Sequence, residues 1–184
     1  MDSTAVIRIT ENWVRDVVVG LNLCPFASVP LQAGLIRFSV CTGQTPEEIY
    51  RALLSEMETL ANLPETEVET GLFIAPQGVG AFDDYLELLY SADEAIVKAG
   101  LGGVLQLASF HPDYCFEGSE EDDPANYTNR SPFPMFHLIR EAPMARALKR
   151  YPNPEQIPKR NVEKMRELGL DEVRDQLQRC REKT

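Results

Sequence analysis

Short apolar segments of strand character alternate with amphipathic segments of helical length between residues 35 and 110. A strand, helix, strand, helix, strand order is typical of successive crossover units, in which right-handed helical connections join parallel strands. We therefore expect a mostly parallel sheet whose helices cover mainly one of its faces. The three strand segments are LIRFSVC at 35–41, GLFIAP at 71–76 and VLQLASF at 104–110.

Capping residues mark the helices of this region. The tetrapeptide TPEE at 45–48 combines a capping box with proline at the first helical position, so it predicts a helix start. A later helix over about 83–99 ends at Gly100, where glycine permits a positive φ. Nearer the N-terminus, Thr10 predicts the N-cap of a helix over about 11–22, which brings Cys24 to the helix exit.

A connection of 24 residues, 111–134, follows the third strand segment. Connections this long within a compact domain are usually functional or disordered. The alternating segment MFHLIRE at 135–141 then predicts a fourth strand. Helical segments follow, with starts predicted after Pro143, at NPEQ (153–156) and at Asp171.

These elements predict an α/β fold. The sheet has three to four strands, is mostly parallel, and carries packed helices and a C-terminal helical extension. We expect a single domain over 1–184, with the α/β core in 1–150 and the extension in 151–184.

The charge of the chain disfavours some classes of binding partner. The formal net charge of -11 argues against nucleic acid and against anionic membranes. The tail differs from the rest, because residues 144–184 hold 11 bases and 7 acids. That tail is interpreted as a solvated helical surface rather than an RNA-binding face, since it has few aromatic side chains for base stacking.

The expected compartment is the cytoplasm. The first residues lack a basic region followed by an unbroken apolar run, and no apolar run approaches the roughly 20 residues that span a bilayer. The four cysteines are scattered without a paired spacing, so we expect free thiols.

Polar and titratable side chains are concentrated at the two ends of the long connection. His111 follows the third strand, where open α/β sheets place ligands, and NYTNRSP at 126–132 closes the same connection. The planar guanidinium of Arg130 suits a carboxylate or phosphate. The remaining candidate substrate-binding residues are Asn126, Thr128, Asn129, Ser131 and Arg140.

The candidate catalytic residues are His111, His137 and Cys24. The two histidines are the only ones in the chain, and imidazole suits acid or base work near neutral pH. Each candidate has a structural alternative: hydrogen-bonded histidines, a small buried cysteine, and a loop whose polar groups satisfy one another. Arg130 has an internal alternative as well, a salt bridge with the acidic segment 117–123.

A zinc site is a further alternative. Cys24, His111, Cys115 and His137 would supply two sulfur and two nitrogen ligands, although only His111 and Cys115 show a close spacing. The sequence contains neither a phosphate-binding glycine loop, nor a dinucleotide fingerprint, nor a nucleophile elbow.

Several motifs together resemble an uncharacterised bacterial family known as domain of unknown function 1415. The motifs are LNLCPFA, FIAP followed by FDDYLELL, LQLASFHPDY, NYTNRSP and HLIRE. The resemblance covers nearly the whole chain, from Trp13 to about Asn161. It implies no activity, and it marks CPFA, FHP, NYTNRSP and HLIRE as signature stretches, whereas Cys115 lies outside the pattern.

The leading hypothesis is a cytoplasmic enzyme that acts on a small anionic substrate, with a histidine acid or base and an arginine anion clamp. The alternatives are a non-catalytic module that binds protein or nucleic acid, and a zinc protein that uses His111 and His137. Whether the chain is an enzyme, which cofactor it uses and how it assembles stay open at this point.

Overall fold

The computed structural model describes residues 2–183, which form one four-stranded sheet flanked by helices. A π-helical segment, Val14–Val19, continues α1, and short 3-10 helices cover Pro124–Thr128 and Pro154–Gln156. The strands are β1 (Ile36–Val40), β2 (Thr70–Ile74), β3 (Leu105–Phe110) and β4 (Met135–Arg140). The helices are α1 (Ser3–Trp13), α2 (Ser28–Gln32), α3 (Pro46–Asn62), α4 (Phe82–Lys98), α5 (Glu141–Leu148), α6 (Ile157–Leu168) and α7 (Leu170–Glu182).

The sheet has the order β1-β2-β4-β3. The predicted α/β class and fourth strand are confirmed, but the mostly parallel sheet is wrong. Only β1 and β2 pair in parallel, because β4 is antiparallel to both of its neighbours. The long connection leaves β3 at the edge where β4 begins, so β4 must run the opposite way, and it inserts between β2 and β3.

Helices α3 and α4 cover one face of the sheet. The capping box at Thr45 is present, with Glu48 donating its backbone N–H to the Thr45 hydroxyl. Arg37 on β1 pairs with the largely buried Glu56 of α3 at 2.6 Å. The apolar side chains of this first core include Ile49, Leu53, Leu60, Phe73, Tyr85, Leu88, Phe136 and Leu138.

The opposite face is covered as well, which makes the prediction of a sheet covered mainly on one side wrong. Helix α1, its π-helical continuation and the C-terminal helices α6 and α7 pack there. Strands β2 and β4 are apolar on both faces, so each face needs a covering layer. This second core includes Val6, Trp13, Leu72, Ile74, Met135, Met165 and Val173.

The N-terminal helix starts at Ser3, earlier than the predicted residue 11, and changes to π-helical geometry after Trp13. At its end, a Cβ on Gly20 would lie 2.3 Å from the Asp16 carbonyl oxygen, so the close backbone approach there requires glycine. Asn22 then takes a left-handed conformation with φ of 55°, which asparagine tolerates better than most residues. This turn places Cys24 against the sheet.

None of the helices within residues 2–183 has both the length and the apolar character needed to cross a membrane.

A buried tyrosine joins the two ends of the long connection. The Tyr85 hydroxyl donates to the Met135 carbonyl at 2.8 Å and accepts from the Phe110 N–H at 3.1 Å. Burial raises the pKa of Tyr85 far above its usual range, so the hydroxyl keeps its proton. Helix α4 is thereby attached to the end of β3 and the start of β4.

Replacing Tyr85 by phenylalanine is expected to destabilise the protein by about 1 to 3 kcal/mol, because two buried backbone groups lose their partner while the ring still fits. Urea unfolding of both proteins measures the difference. Tyr90→Phe is the control, since Tyr90 lies on the same helix with 63% of its surface exposed. Equal stability of Tyr85→Phe and Tyr90→Phe would contradict the proposed role.

Candidate functional site

A cavity of about 250 Å³ lies between the sheet and the N-terminal segment. Using about 30 Å³ per water molecule, it has the volume of roughly eight waters. The π-helical turn and α5 form its walls, and side chains from all four strands form its floor. Most of the lining is apolar, and the main polar side chains among it are Trp13, Cys24, Glu69, Thr70 and His137.

His137 lies on β4, opposite Leu72 of β2 and Ala108 of β3, so it is central in the floor of the cavity. Its Nε2 is 2.8 Å from the Thr70 hydroxyl oxygen, and that hydroxyl is 2.8 Å from the Leu138 carbonyl. Since the hydroxyl uses its one proton on the carbonyl, Nε2 must be the donor, and Nδ1 carries the lone pair. Burial lowers the pKa of His137 to about 4.

Trp13 is 2% exposed and lines the same cavity. Its ring packs edge-on against Phe110, with 5.0 Å between ring centroids. The indole Nε1–H is buried and finds no acceptor among residues 2–183. A buried donor without a partner costs about 1 to 3 kcal/mol.

Cys24 is half-buried at the edge of the cavity. Burial raises the pKa of its thiol, and hydrogen bonds from the backbone N–H groups of Phe26 and Ala27 act in the opposite direction. The net result is a protonated thiol at neutral pH. Reaction as a nucleophile would require a base to remove that proton.

A second, more polar cleft of about 620 Å³ adjoins the cavity. Thr128 and Asn129 of the NYTNRSP segment line one side, and α6 lines the other with Lys159, Asn161 and Arg166. Asn161 donates from Nδ2 to the Leu23 carbonyl at 2.7 Å, so α6 holds the backbone next to Cys24.

His111 lies on the other face of the sheet and is fully buried. Its Nδ1 accepts from the Asp113 N–H at 3.0 Å, and its Nε2 is 3.2 Å from the Val79 carbonyl, to which it donates. Burial lowers the pKa of His111, against the effect of the Val79 bond. Both ring nitrogens are occupied, and the ring has no exposed surface for a ligand.

The guanidinium of Arg130 binds the long connection itself. It donates to the backbone carbonyls of Tyr114 at 3.0 Å and Glu121 at 2.8 Å, and it lies 4.8 Å from the Tyr127 ring centroid. Its partners are thus carbonyls of the connection rather than the acidic side chains of 117–123. Because His111 is fully buried, the two groups do not meet in a common open space.

The other polar groups of NYTNRSP also bond mainly within the loop. The fully buried Asn126 receives the Phe116 N–H and donates to the Glu120 carbonyl, and buried Ser131 donates to the Phe133 carbonyl at 2.6 Å. Thr128 donates to the Ala125 carbonyl, and Asn129 donates to the Ser109 carbonyl. Of the proposed cradle, Thr128 and Asn129 are the residues that also line the cleft.

Arg140 stabilises the end of α3. Its guanidinium donates to the carbonyls of Leu60 and Leu63, which the helix end leaves without intrahelical partners, and to the Val68 carbonyl in the loop that follows. The residue borders the cavity, but its donors are directed at the backbone.

The zinc alternative fails on geometry. His111 and His137 lie on opposite faces of the sheet, the first against α4 and the second against Thr70. Within the described part of the chain, no three His, Cys, Asp or Glu side chains are grouped to hold a metal ion. In this arrangement the two histidines do not converge on one metal ion.

Three residues of the site were missed from sequence. Trp13, Thr70 and Asn161 carry polar groups that contact or border the two cavities, yet each occupies a position of ordinary helical or strand pattern. The single tryptophan of the chain was the only visible signal, since tryptophan combines a large ring with one donor.

Comparison with family models matches residues 5–175 to the family described as protein of unknown function (DUF1415). The match covers most of the 184 residues, so the chain belongs to this family, and the resemblance carried by its motifs is confirmed. The bacterial origin of the chain stays a prediction. No curated protein and no solved structure among those searched shows a significant match.

Both imidazoles are expected to titrate below pH 6.5 and to be Nε2–H tautomers at neutral pH, with the His137 midpoint near pH 4. An NMR titration measures this directly, because the chain has two histidines and His137→Gln assigns the signals. A His137 midpoint at or above 6.5 would contradict the buried environment.

The same shift predicts how stability depends on pH. Between pH 6.5 and 4 the unfolded chain binds a proton at His137 that the folded protein does not, so stability falls as pH falls through this window. His137→Gln removes that contribution, and its urea unfolding should therefore depend less on pH over the same range. If the unfolding free energies of the two proteins depended equally on pH, the assigned contribution of His137 would be contradicted.

Proposed function

We propose that this family member binds a small, largely apolar molecule in the cavity between β4 and the π-helical turn, through one hydrogen-bond-accepting group on the ligand. The observation that carries the proposal is the mainly apolar cavity lined in part by Trp13, whose buried indole N–H has no acceptor among residues 2–183 and almost no accessible surface, so that the ligand would have to move in against it. Ligand sites typically combine such apolar linings with a few placed polar groups.

The surroundings of the cavity support a built site rather than a packing defect. The space is a partly open pocket whose lining is mainly apolar, as in many small-molecule sites. One wall is π-helical, a geometry that occurs frequently at functional sites. The Thr70 hydroxyl and the Leu138 carbonyl also hold the His137 ring in one orientation.

Enzymatic use of this site would rest on His137. Its neutral imidazole has a lone pair on Nδ1, which suits a base, and Cys24 lines the same cavity. His111 has less support, because both of its nitrogens are bonded within the protein. The arginine clamp for an anionic substrate also has less support, since Arg130 and Arg140 donate to backbone carbonyls.

A nucleic-acid-binding module has less support for a different reason. Many cations of the C-terminal tail are paired with carboxylates of the protein, and the pairs include Arg146–Glu65, Arg166–Asp123, Arg179–Glu172 and Lys183–Asp16. We keep the cytoplasm as the proposed compartment, because all four cysteines are free thiols.

A matched pair of probes tests the proposal. 2-Heptanone offers a carbonyl acceptor and heptane does not, so the ketone is expected to bind about three- to tenfold more tightly if it accepts from Trp13. The indole N–H signal in a ¹⁵N NMR spectrum reports the contact alone, because the chain has one tryptophan. No change of that signal at saturating solubility of both probes would overturn the proposal.

Two alanines on α5 supply the control. Ala147 lines the cavity, whereas Ala145 is exposed on the same helix. Ala147→Leu should weaken ketone binding by filling the space, and Ala145→Leu should leave it unchanged. Trp13→Phe should remove the preference for the ketone over heptane, measured by ligand-induced thermal shift.

A further inference from the structure

The ring of His137 carries a hydrogen-bond acceptor that the protein does not use. Because the Thr70 hydroxyl holds the proton-bearing Nε2, the lone pair of the ring lies on Nδ1. Within residues 2–183, the hydrogen bonds of this ring involve Nε2 alone. Nδ1 is not one of the buried unpartnered atoms of these residues, so, unlike Trp13 Nε1, it keeps accessible surface.

This accessible surface borders the cavity. His137 is part of the cavity lining, and so are its neighbours across the sheet, Leu72 and Ala108. The side chain of Ala108 is a single methyl group, which is too short to cover an imidazole ring on the adjacent strand. A ligand in the cavity can therefore contact Nδ1 with a hydrogen-bond donor.

The second histidine shows what a satisfied ring looks like in the same protein. His111 Nδ1 accepts from the Asp113 N–H at 3.0 Å, and its Nε2 donates to the Val79 carbonyl at 3.2 Å. Both of its nitrogens are used by the fold. The free acceptor is thus particular to His137, and His111 provides an internal reference for any measurement on it.

The charges around the cavity favour a neutral ligand. Glu69 and Arg140 both border it, one of each sign, and most of the remaining lining is apolar. An aliphatic amine could donate to Nδ1, but it is an ammonium ion at neutral pH and would be costly to move from water into an apolar space. A hydroxyl group is neutral, and it joins an O–H donor to an accepting oxygen.

We infer that the ligand of this cavity is an apolar molecule with a hydroxyl group, whose O–H donates to His137 Nδ1. The hydroxyl oxygen also supplies the accepting group that the binding proposal requires. The inference rests on the proposed function and specifies the class of ligand for the same site.

Two isomers separate the donor from the acceptor. 2-Heptanol has an O–H, whereas 2-methoxyhexane has the same formula and an ether oxygen without a proton. A hydroxyl is more costly to remove from water than an ether, so the alcohol binds more tightly only if its O–H finds an acceptor. We expect 2-heptanol to bind about three- to tenfold more tightly than 2-methoxyhexane in NMR titrations of the intact protein.

The Nδ1 signals of the two histidines identify the acceptor directly. A donated hydrogen bond moves the ¹⁵N resonance of an unprotonated ring nitrogen upfield. Saturation with 2-heptanol should therefore shift His137 Nδ1 upfield, and 2-methoxyhexane should not. His111 Nδ1 should stay unchanged with both probes, because it is already bonded to the Asp113 N–H.

A variant tests the same contact by affinity. His137→Phe keeps an aromatic ring in the cavity floor without an acceptor, so it should bind the alcohol and the ether about equally. Equal affinities of the unaltered protein for the two isomers, or an unmoved His137 signal at saturation with the alcohol, would overturn the inference. Binding of 2-heptanone with a shifted Trp13 N–H signal would then show that the simpler proposal still holds, whereas absence of binding by every probe would overturn both.

Discussion

The insertion of β4 between β2 and β3 is the constraint on which the rest of the structure depends. Most side chains of this central strand are buried on both of its faces, so both faces of the sheet are covered. Helices α3 and α4 cover one face, and α1 with the C-terminal helices covers the other. His137 is the polar side chain that β4 presents to the second face, and it lies in the floor of the cavity.

The long connection makes this insertion possible, and its polar residues are used for that purpose. The backbone groups of His111 exchange hydrogen bonds with Asn129 and Ser131, so the two ends of the connection are held together. Arg130 and Asn126 bind carbonyls in its middle. The NYTNRSP segment, which resembles a binding site in sequence, therefore mainly stabilises the connection. Two of its residues, Thr128 and Asn129, border the cleft.

Helices and strands with clear capping residues or clear alternation were predicted well from the sequence. The capping box at Thr45, the glycine end of α4 at Gly100 and the strand character of β4 all correspond to elements of the structure. The π-helical turn was not predicted, because Val14–Val19 continues the ordinary helical pattern of the preceding residues. The site was half predicted: Cys24 and His137 share the cavity, whereas His111 lies on the opposite face.

The sequence by itself determined the α/β class, the family and the identity of the polar residues near the sheet edge, because capping, periodicity and motif content are local properties. Only the tertiary structure decided which face each histidine occupies, since one antiparallel strand changes the neighbours of every residue along it. The tertiary structure also decided which side-chain hydrogen-bond donors have no partner. Arg130 and Arg140 use theirs on carbonyls brought near by folding, and the Trp13 N–H is left facing no acceptor among residues 2–183.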